Sequence, residues 1–344
     1  MVIEQRDARV MKDARVTVLM TLYNKGPYVS DAIESILTGT FADFELLVVD
    51  DGSTDDGPTI VQRISDPRVR FLAHATNTGR AAAANRGFDA ARGEYVAVLD
   101  ADDLSHPERL AKQVAFLDAR HDVGVCGTYA QVFGIRDHVA KWPLTDEEAR
   151  GLLLFEDPLL YGSAMFRRSV LEEHAIRCRT DWRFPGMDYL FLLAVAQHTR
   201  TATLPEALMS YRIGEQNFRH GRDVLADKAR IHGEVFRFYG IEAGEPEADL
   251  QLMLHQQFRK PPTAADIRSL SAWIDRLKKF DREHQLFTQH VFEARLDREW
   301  KRLYYICADR WLGPAFAHLR ISGGWPMGRL AYLLKVRLRR MLGK

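Results

Sequence analysis

The sequence predicts an α/β fold: a Rossmann-like, mainly parallel sheet flanked by helices, followed by a helical C-terminal extension. Three observations carry this expectation. From Val16 onward short apolar runs alternate with amphipathic stretches, the pattern of a parallel sheet covered by helices. Two of those runs end in acidic clusters, Asp50-Asp51 and Asp100-Ala101-Asp102-Asp103, at the strand ends where open sheets bind their ligands. After about Asp223 helical periodicity continues with few strand signals.

The expected strands are Val16 to Leu22, Phe44 to Val49, Val69 to Ala73 and Tyr95 to Leu99. All are short, and three are rich in the β-branched residues that a buried strand favours. Between the first two, Pro27 to Leu37 places Tyr28, Ala32, Ile33, Ile36 and Leu37 on one helical face. Ser105 followed by Glu108, with Pro107 between them, is a capping-box pattern that predicts a helix from His106 to about Arg120. That helix leaves the acidic cluster before it on a loop. Val123 to Gly134 reads as one or two further strands and Asp146 to Phe155 as a helix. Lys260 to Asp266, with Pro261, Pro262 and Thr263, marks a linker that ends in a helix N-cap.

A chain of 344 residues suits a main domain of about 220 residues and a smaller one. With 46% hydrophobic and 28% charged residues it has the composition of a soluble globular protein. Lys and Arg number 48 against 47 Asp and Glu, so no global charge recruits nucleic acid. Cys126, Cys178 and Cys307 are far apart and form no C-x-x-C pair, which argues against a disulfide framework and a structural zinc site and makes a reducing compartment the expectation. No histidine stands in a metal-ligand spacing. The N-terminus lacks an apolar h-region, and no run approaches the roughly 18 apolar residues of a spanning helix. The expected location is cytoplasmic, at most peripheral on a membrane face.

Carboxylates packed as closely as those of the two clusters repel one another unless a cation or hydrogen-bond donors offset their charge. A divalent metal is the economical explanation, because Mg²⁺ and Mn²⁺ prefer oxygen ligands and Mg²⁺ needs only one or two carboxylates when phosphates and waters complete its shell. In extended backbone the first and third residues of Asp100-Ala101-Asp102 point the same way, so both could face one ligand. The competing explanation is that Asp51-Gly52-Ser53-Thr54 is simply a turn; two clusters at corresponding strand ends favour a site.

Three segments, VTVLMTLYN, FELLVVDDGSTDD and NTGRAAAANRGFDAARGEYVAVLDADD, resemble the nucleotide-binding half of the family-two glycosyltransferases, inverting enzymes with the GT-A fold. The resemblance covers Val16 to about Leu117, with several motifs in order. It implies a nucleotide-sugar-binding half at residues 16–120 and an acceptor-binding half at 121–223, preceded by an arm, 1–15, and followed by a helical module, 224–344. It implies that Thr21 and Tyr23, with Asp50 or Asp51, contact the base, commonly uracil, and the ribose. Asp100 and Asp102 match the family's D-x-D, whose first aspartate serves the ribose or a metal-bound water and whose second binds the Mn²⁺ or Mg²⁺ that bridges the diphosphate. Asn77, Gly79 and Asn85 match the segment that lines the nucleotide and sugar. Where the family often has Arg before that last Asn, this chain has Ala84, with Arg80 or Arg86 as candidate substitutes.

Tyr161 to Ile176 and WRFPGMDYLFLLAVA resemble the region that carries the family's acidic pair, usually Glu-Asp. Here the pair is Met187-Asp188. The resemblance makes Asp188 the general base, whereas by position alone it could be a helix N-terminal aspartate stabilised by the macrodipole. Leu204 to Asn217 resembles the closing segment, with Tyr211 and Arg212 present and Gly214 where His is frequent. Arg212 could donate to a diphosphate or form a structural ion pair.

The reaction implied is inverting, metal-dependent transfer from a nucleoside-diphosphate sugar, UDP favoured, to a hydroxyl of a glycan or lipid-linked acceptor in polysaccharide, lipopolysaccharide or other glycan synthesis. The alternative is a non-catalytic nucleotide-sugar-binding or scaffold protein. A dinucleotide-dependent oxidoreductase would need G-x-G-x-x-G after the first strand, where LYNKGPY stands. Residues 310–344 hold eight basic residues and no acidic one, interleaved with aromatics and leucines. Such a tail fits an amphipathic helix on an anionic membrane surface or a packed helix with a solvated basic face.

Overall fold

A computed structural model of the chain describes residues 14–214, 223–323 and 327–341. Most of the expected N-terminal arm and the end of the closing segment, through Asn217, lie outside the described residues, as do Trp325 and Lys344 in the tail.

Strands β1 (Val16–Leu22), β2 (Phe44–Asp50), β3 (Val69–Ala73) and β4 (Tyr95–Val98) alternate with helices α1 (Gly26–Leu37), α2 (Gly57–Arg63) and α3 (Arg80–Ala90). The chain continues through β5 (Leu104–Ser105), α4 (Arg109–Ala119), β6 (Val123–Gly134), β7 (His138–Ala140), α5 (Asp146–Arg150), β8 (Met165–Arg167), α6 (Arg168–Glu173), α7 (Met187–His198) and β9 (Arg200–Ile213). The strands form one sheet in the order β3-β2-β1-β4-β8-β6-β9-β5, with β7 on β6. The first four strands pair in parallel, as expected, while β8 runs antiparallel to both β4 and β6.

Helices cover both faces because side chains alternate along each buried strand. Val16, Val18, Met20 and Leu22 of β1 pack with Val29, Ala32, Ile33 and Ile36 of α1 and with Leu110, Val114 and Leu117 of α4. Leu19, Leu47 and Val49 point to the other side, where Ala81, Ala84 and Phe88 of α3 meet Phe191, Leu192 and Val195 of α7. β1, β2 and β4 are therefore buried almost throughout, while β3 at the sheet edge is only half-buried, and acidic residues follow in the loops at the carboxyl ends of β2 and β4.

Three local expectations differ from the structure. The fourth strand ends at Val98 rather than Leu99. The capping box at Ser105 does not form: Leu104 and Ser105 pair with Ser210 and Met209 of β9, and His106 N donates to Leu208 O at 2.9 Å. The sheet thus captures the residue that would have capped the helix, and α4 begins at Arg109 with Glu108 as its N-cap. The helix expected from Asp146 to Phe155 stops at Arg150, where Gly151 follows; glycine is a poor helix residue.

Residues 14–149 and 156–214 form one compact unit; residues 150–155 with the described residues from 223 onward form another. The second is helical: α8 (Val224–Tyr239), α9 (Glu245–Leu254), α10 (Ala264–His284), α11 (Gln289–Arg310), α12 (Leu312–Ile321) and α13 (Met327–Met341). The linker before α10 ends as its composition predicts. Thr263 Oγ1 accepts from Asp266 N at 3.2 Å while the Asp266 carboxylate accepts from Thr263 N at 2.7 Å, a complete capping box. Cys126, Cys178 and Cys307 are buried free thiols. Among the described residues no helix is long and apolar enough to cross a membrane.

At the edge of the sheet away from the acidic loops, β2 carries a buried glutamate. Glu45, 2% exposed, accepts from Thr17 Oγ1 at 2.6 Å, Arg70 Nη1 at 2.9 Å and Arg92 N at 3.0 Å. It joins β1, β2, β3 and the turn into β4. Glu45→Ala strands the Arg70 guanidinium and is expected to cost about 3–5 kcal/mol, the usual result of breaking a buried pair from one side. Urea unfolding checks this; a loss within about 1 kcal/mol would show that the sheet does not depend on the pair.

Candidate active site

The loops at the carboxyl ends of β1 and β2 are clasped together. Asn24 takes the left-handed conformation, φ +50°; its backbone N donates to Ser53 Oγ at 3.0 Å and its Oδ1 accepts from Thr54 N at 2.8 Å. Gly26 N donates to Asp55 Oδ2 at 2.7 Å. Thr21 is half-buried near the end of β1, and Tyr23 is exposed just beyond it.

Asp50 and Asp51 are both buried, each 3% exposed, and both are engaged with backbone. Asp50 accepts from Ser53 N at 3.2 Å. Asp51 accepts from Thr78 N and Thr78 Oγ1 at 2.8 Å each and from Gly79 N at 2.9 Å. It thereby sets the loop that carries Asn77, which is exposed, into the start of α3. Gly52 between the clusters is required there: its φ is +73°, and a Cβ would lie 2.5 Å from Thr76 C. Asn85, one of the expected donor-site residues, uses both ends of its amide on Cys178, donating to its O at 2.8 Å and accepting from its N at 2.7 Å. The second half of the domain is anchored to α3 by that pair.

The D-x-D is a turn rather than the extended segment expected, because Asp103 N donates back to Asp100 O at 3.1 Å. Its carboxylates consequently diverge. Asp100 accepts from Arg80 Nη2 at 3.1 and 3.2 Å; Asp102 pairs with Lys25 Nζ at 2.5 Å. Asp103, only 1% exposed, accepts from Arg212 N at 2.8 Å. Arg212 also donates through Nε to Asp102 O at 2.9 Å, and its guanidinium carbon lies 4.8 Å from the Tyr28 ring centroid and 4.5 Å from that of Phe133. It braces the acidic turn. Beneath that turn the buried Arg109 donates to Val98 O at 2.7 Å and to Gln113 Oε1 at 3.1 Å, and burial lowers its pKa to about 10.

Asp188 stands in the first turn of α7, after Gly186 in the left-handed conformation at φ +86°. Its Oδ1 accepts from Tyr189 N at 3.1 Å, as a helix-terminal aspartate would, while its Oδ2 lies 3.9 Å from Arg80 Nη1. Arg80 therefore spans the two predicted carboxylates, Asp100 and Asp188, with the Tyr161 ring 5.5 Å from its guanidinium carbon. Asp100 and then Asp188 hold that guanidinium above its ordinary pKa despite desolvation. One helical turn before Ala84, Arg80 brings an arginine into the site. Met187, where the family pair usually has Glu, is 8% exposed and packs in the apolar cluster between sheet and α7.

Sequence reasoning did not single out Lys25, Asp103 or Asp157. Asp103 was legible as part of the acidic run. Asp157 carries no motif: its Oδ1 is buried without a hydrogen-bond partner, and burial, then the charge of Asp188, push its carboxyl well above the usual range. Burial likewise raises Tyr211 to about 12, with Asp103 the next cause.

Among the described residues no group of three or more His, Cys, Asp or Glu side chains is arranged to hold a metal. A cation that takes one or two carboxylates and completes its shell with phosphates and waters needs no such group. The acidic turn fits it. Lys25 already places a positive charge on Asp102, and Asp103 Oδ2 is buried without a hydrogen-bond partner.

The chain also has clear relatives among known proteins. Residues 17–175 match the profile of Glycosyl transferase family 2. The chain is 34% identical over 279 residues to the succinoglycan biosynthesis protein ExoO of Rhizobium meliloti, covering 77% of this chain and 78% of that protein. It is 28% identical over 232 residues to an uncharacterized glycosyltransferase of Haemophilus influenzae, covering 62% and 72% respectively. Its fold resembles that of S. aureus TarS 1-349, solved with UDP-GlcNAc, with a TM-score of 0.57 at 20% identity over 96% of this chain and 92% of that one. The acidic turn after β4, the clasped loops around it and these matches lead to one conclusion: the chain belongs to glycosyl transferase family 2, has the GT-A fold and is a glycosyltransferase.

Proposed function

We propose that this glycosyltransferase is inverting and metal-dependent, and moves a sugar from a nucleoside-diphosphate sugar, a UDP-sugar in the favoured case, to a hydroxyl of a glycan or lipid-linked acceptor. The observation that carries the proposal is the Arg80 bridge, which places Asp188 beside the D-x-D with one guanidinium between them. The UDP-GlcNAc in the TarS complex supports the donor class, and the role of ExoO in succinoglycan biosynthesis supports polysaccharide as the product.

In this reading residues 16–120 receive the donor, 121–223 the acceptor, and 224–344 form an accessory helical module. Thr21, Tyr23, Asp50 and Asp51 frame the base and ribose; Asn77 and Gly79 border the sugar, with Asn85 steadying that segment through Cys178. Asp100 serves the ribose or a water on the metal, and Arg212 braces the turn beneath it. Mn²⁺ or Mg²⁺ on Asp102 would supply charge neutralisation for the departing nucleoside diphosphate. Asp188 accepts the proton of the acceptor hydroxyl as that oxygen attacks the anomeric carbon from the face opposite the diphosphate, which inverts the configuration. Arg80 holds Asp188 toward the donor.

Asp188→Asn is expected to lower kcat by about 10²–10⁴-fold, the usual contribution of a positioned base, with the donor Kd nearly unchanged. Nucleotide release and isothermal titration check the two quantities separately; undiminished turnover would remove Asp188 as base. Donor binding by the wild type without turnover of any UDP-, GDP- or dTDP-sugar would favour the non-catalytic reading instead. Arg80→Met removes charged hydrogen bonds of about 1.5–3 kcal/mol, so kcat/KM should fall roughly tenfold to a hundredfold, since about 1.4 kcal/mol is a factor of ten.

The tail supports a peripheral position on the inner face of the cell membrane. Met327, Leu334 and Leu338 of α13 are 84%, 63% and 54% exposed and share one helical face at spacings of seven and four. Lys335 and Arg337 flank them, and Leu333 is buried on the opposite side. The expected outcome is sedimentation of the full chain with vesicles containing anionic phospholipid but not with neutral ones, weakened at least about tenfold by Leu334→Ser with Leu338→Ser. Equal binding of the double variant would return this face to plain solvent exposure.

A further inference from the structure

We infer that Lys25 is a resident counter-cation that competes with the divalent metal for Asp102, so that metal loading requires its ammonium group to leave the carboxylate. The inference rests on the reading of Asp102 as the metal residue.

Lys25 is the N-cap of α1, and its backbone is held: its carbonyl accepts from Tyr28 N at 2.9 Å and Val29 N at 3.0 Å. The left-handed Asn24 before it and the Gly26–Asp55 bond after it clasp the same turn to the loop following β2. The stem therefore leaves from a rigid point. Its Nζ lies 2.5 Å from Asp102 Oδ2, with the Lys25 side chain 24% exposed and that of Asp102 10%. A side chain open to water to that extent can swing out by rotation about its own bonds while the backbone stays fixed.

The charges around the pair give the lysine its purpose. Asp100, Asp102 and Asp103 crowd one turn, Asp100 already shares Arg80 with Asp188, and Asp103 takes only a backbone N–H from Arg212. Asp102 thus relies on Lys25 for its counter-charge when no other cation is present, and neighbouring carboxylates without one repel. A metal bound through Asp102 Oδ2 would have to displace the ammonium group that holds that oxygen at 2.5 Å, and one bound through Oδ1 would sit within a few ångströms of its positive charge. A metal that arrives with a diphosphate brings its own anionic partner, so the exchange is offset by new contacts; a metal arriving alone has only the carboxylate to gain. Lys25 accordingly makes metal binding depend on donor binding and keeps bare metal out of the site.

The test is Mn²⁺ titration without donor, read as loss of the free Mn²⁺ electron paramagnetic resonance signal, for the wild type, Lys25→Met, Lys25→Gln and Asp102→Asn, with thermal melts to confirm folding. Both Lys25 variants should bind Mn²⁺ at least about tenfold more tightly than the wild type, and added UDP should narrow the gap. Unchanged Mn²⁺ affinity in folded Lys25 variants, with binding lost in Asp102→Asn, would overturn the competition and leave the metal site standing. With UDP present, Mn²⁺ binding by Asp102→Asn equal to the wild type would sink the metal assignment itself.

Discussion

Three carboxylates on one short turn repel one another, and the site is organised around that repulsion. Each of Asp100, Asp102 and Asp103 is met by a group from a different part of the chain: Arg80 from α3, Lys25 from the start of α1, and the backbone N–H of Arg212 from β9. A charge concentrated this way is costly in an isolated loop and tolerable only where the fold brings donors to it. The turn therefore depends on three elements, spread along the chain from Lys25 to Arg212, arriving at one edge of the sheet.

The sheet makes that arrival possible. Both of its faces are buried beneath helices, so the strands carry little that is polar along their length and discharge their acidic residues at the carboxyl edge. The opposite edge is stitched by Glu45, Thr17 and Arg70. One network holds the strands in register, and the other uses that register to converge Asp50, Asp51 and Asp100 through Asp103. Gly52 has a comparable role on a smaller scale: its left-handed backbone lets the loop after β2 close on Thr76, and Asp51 then draws the start of α3 inward.

The departures from the family pattern make local sense in three dimensions. Met187 has an apolar neighbourhood in which a carboxylate would be stranded. Ala84 leaves no gap in charge, because Arg80 stands one helical turn earlier and reaches Asp100 and the edge of Asp188. A buried carboxyl at Asp157, close enough to feel the charge of Asp188, has no counterpart among the motifs. The helical unit is an independent matter of packing, with α10 set by its Thr263 capping box and α13 leaving a leucine stripe uncovered.

The sequence by itself determined the parallel strands, the face of α1, the cap of α10 and the acidic strand ends, because each follows from periodicity or from a side chain bonding its own neighbourhood. It also identified the family, since the motifs around Asp50, Asn77 and Asp100 occur in order. What only the tertiary structure decided was which partner each carboxylate takes. Ser105 carries a good capping signal, yet pairing with β9 claimed it. Asp100 and Asp102 look like side chains on one face, yet a backbone bond from Asp103 folded them into a turn that sends one to Arg80 and the other to Lys25. Those outcomes rest on contacts between residues far apart in the chain, whose energies no local pattern encodes.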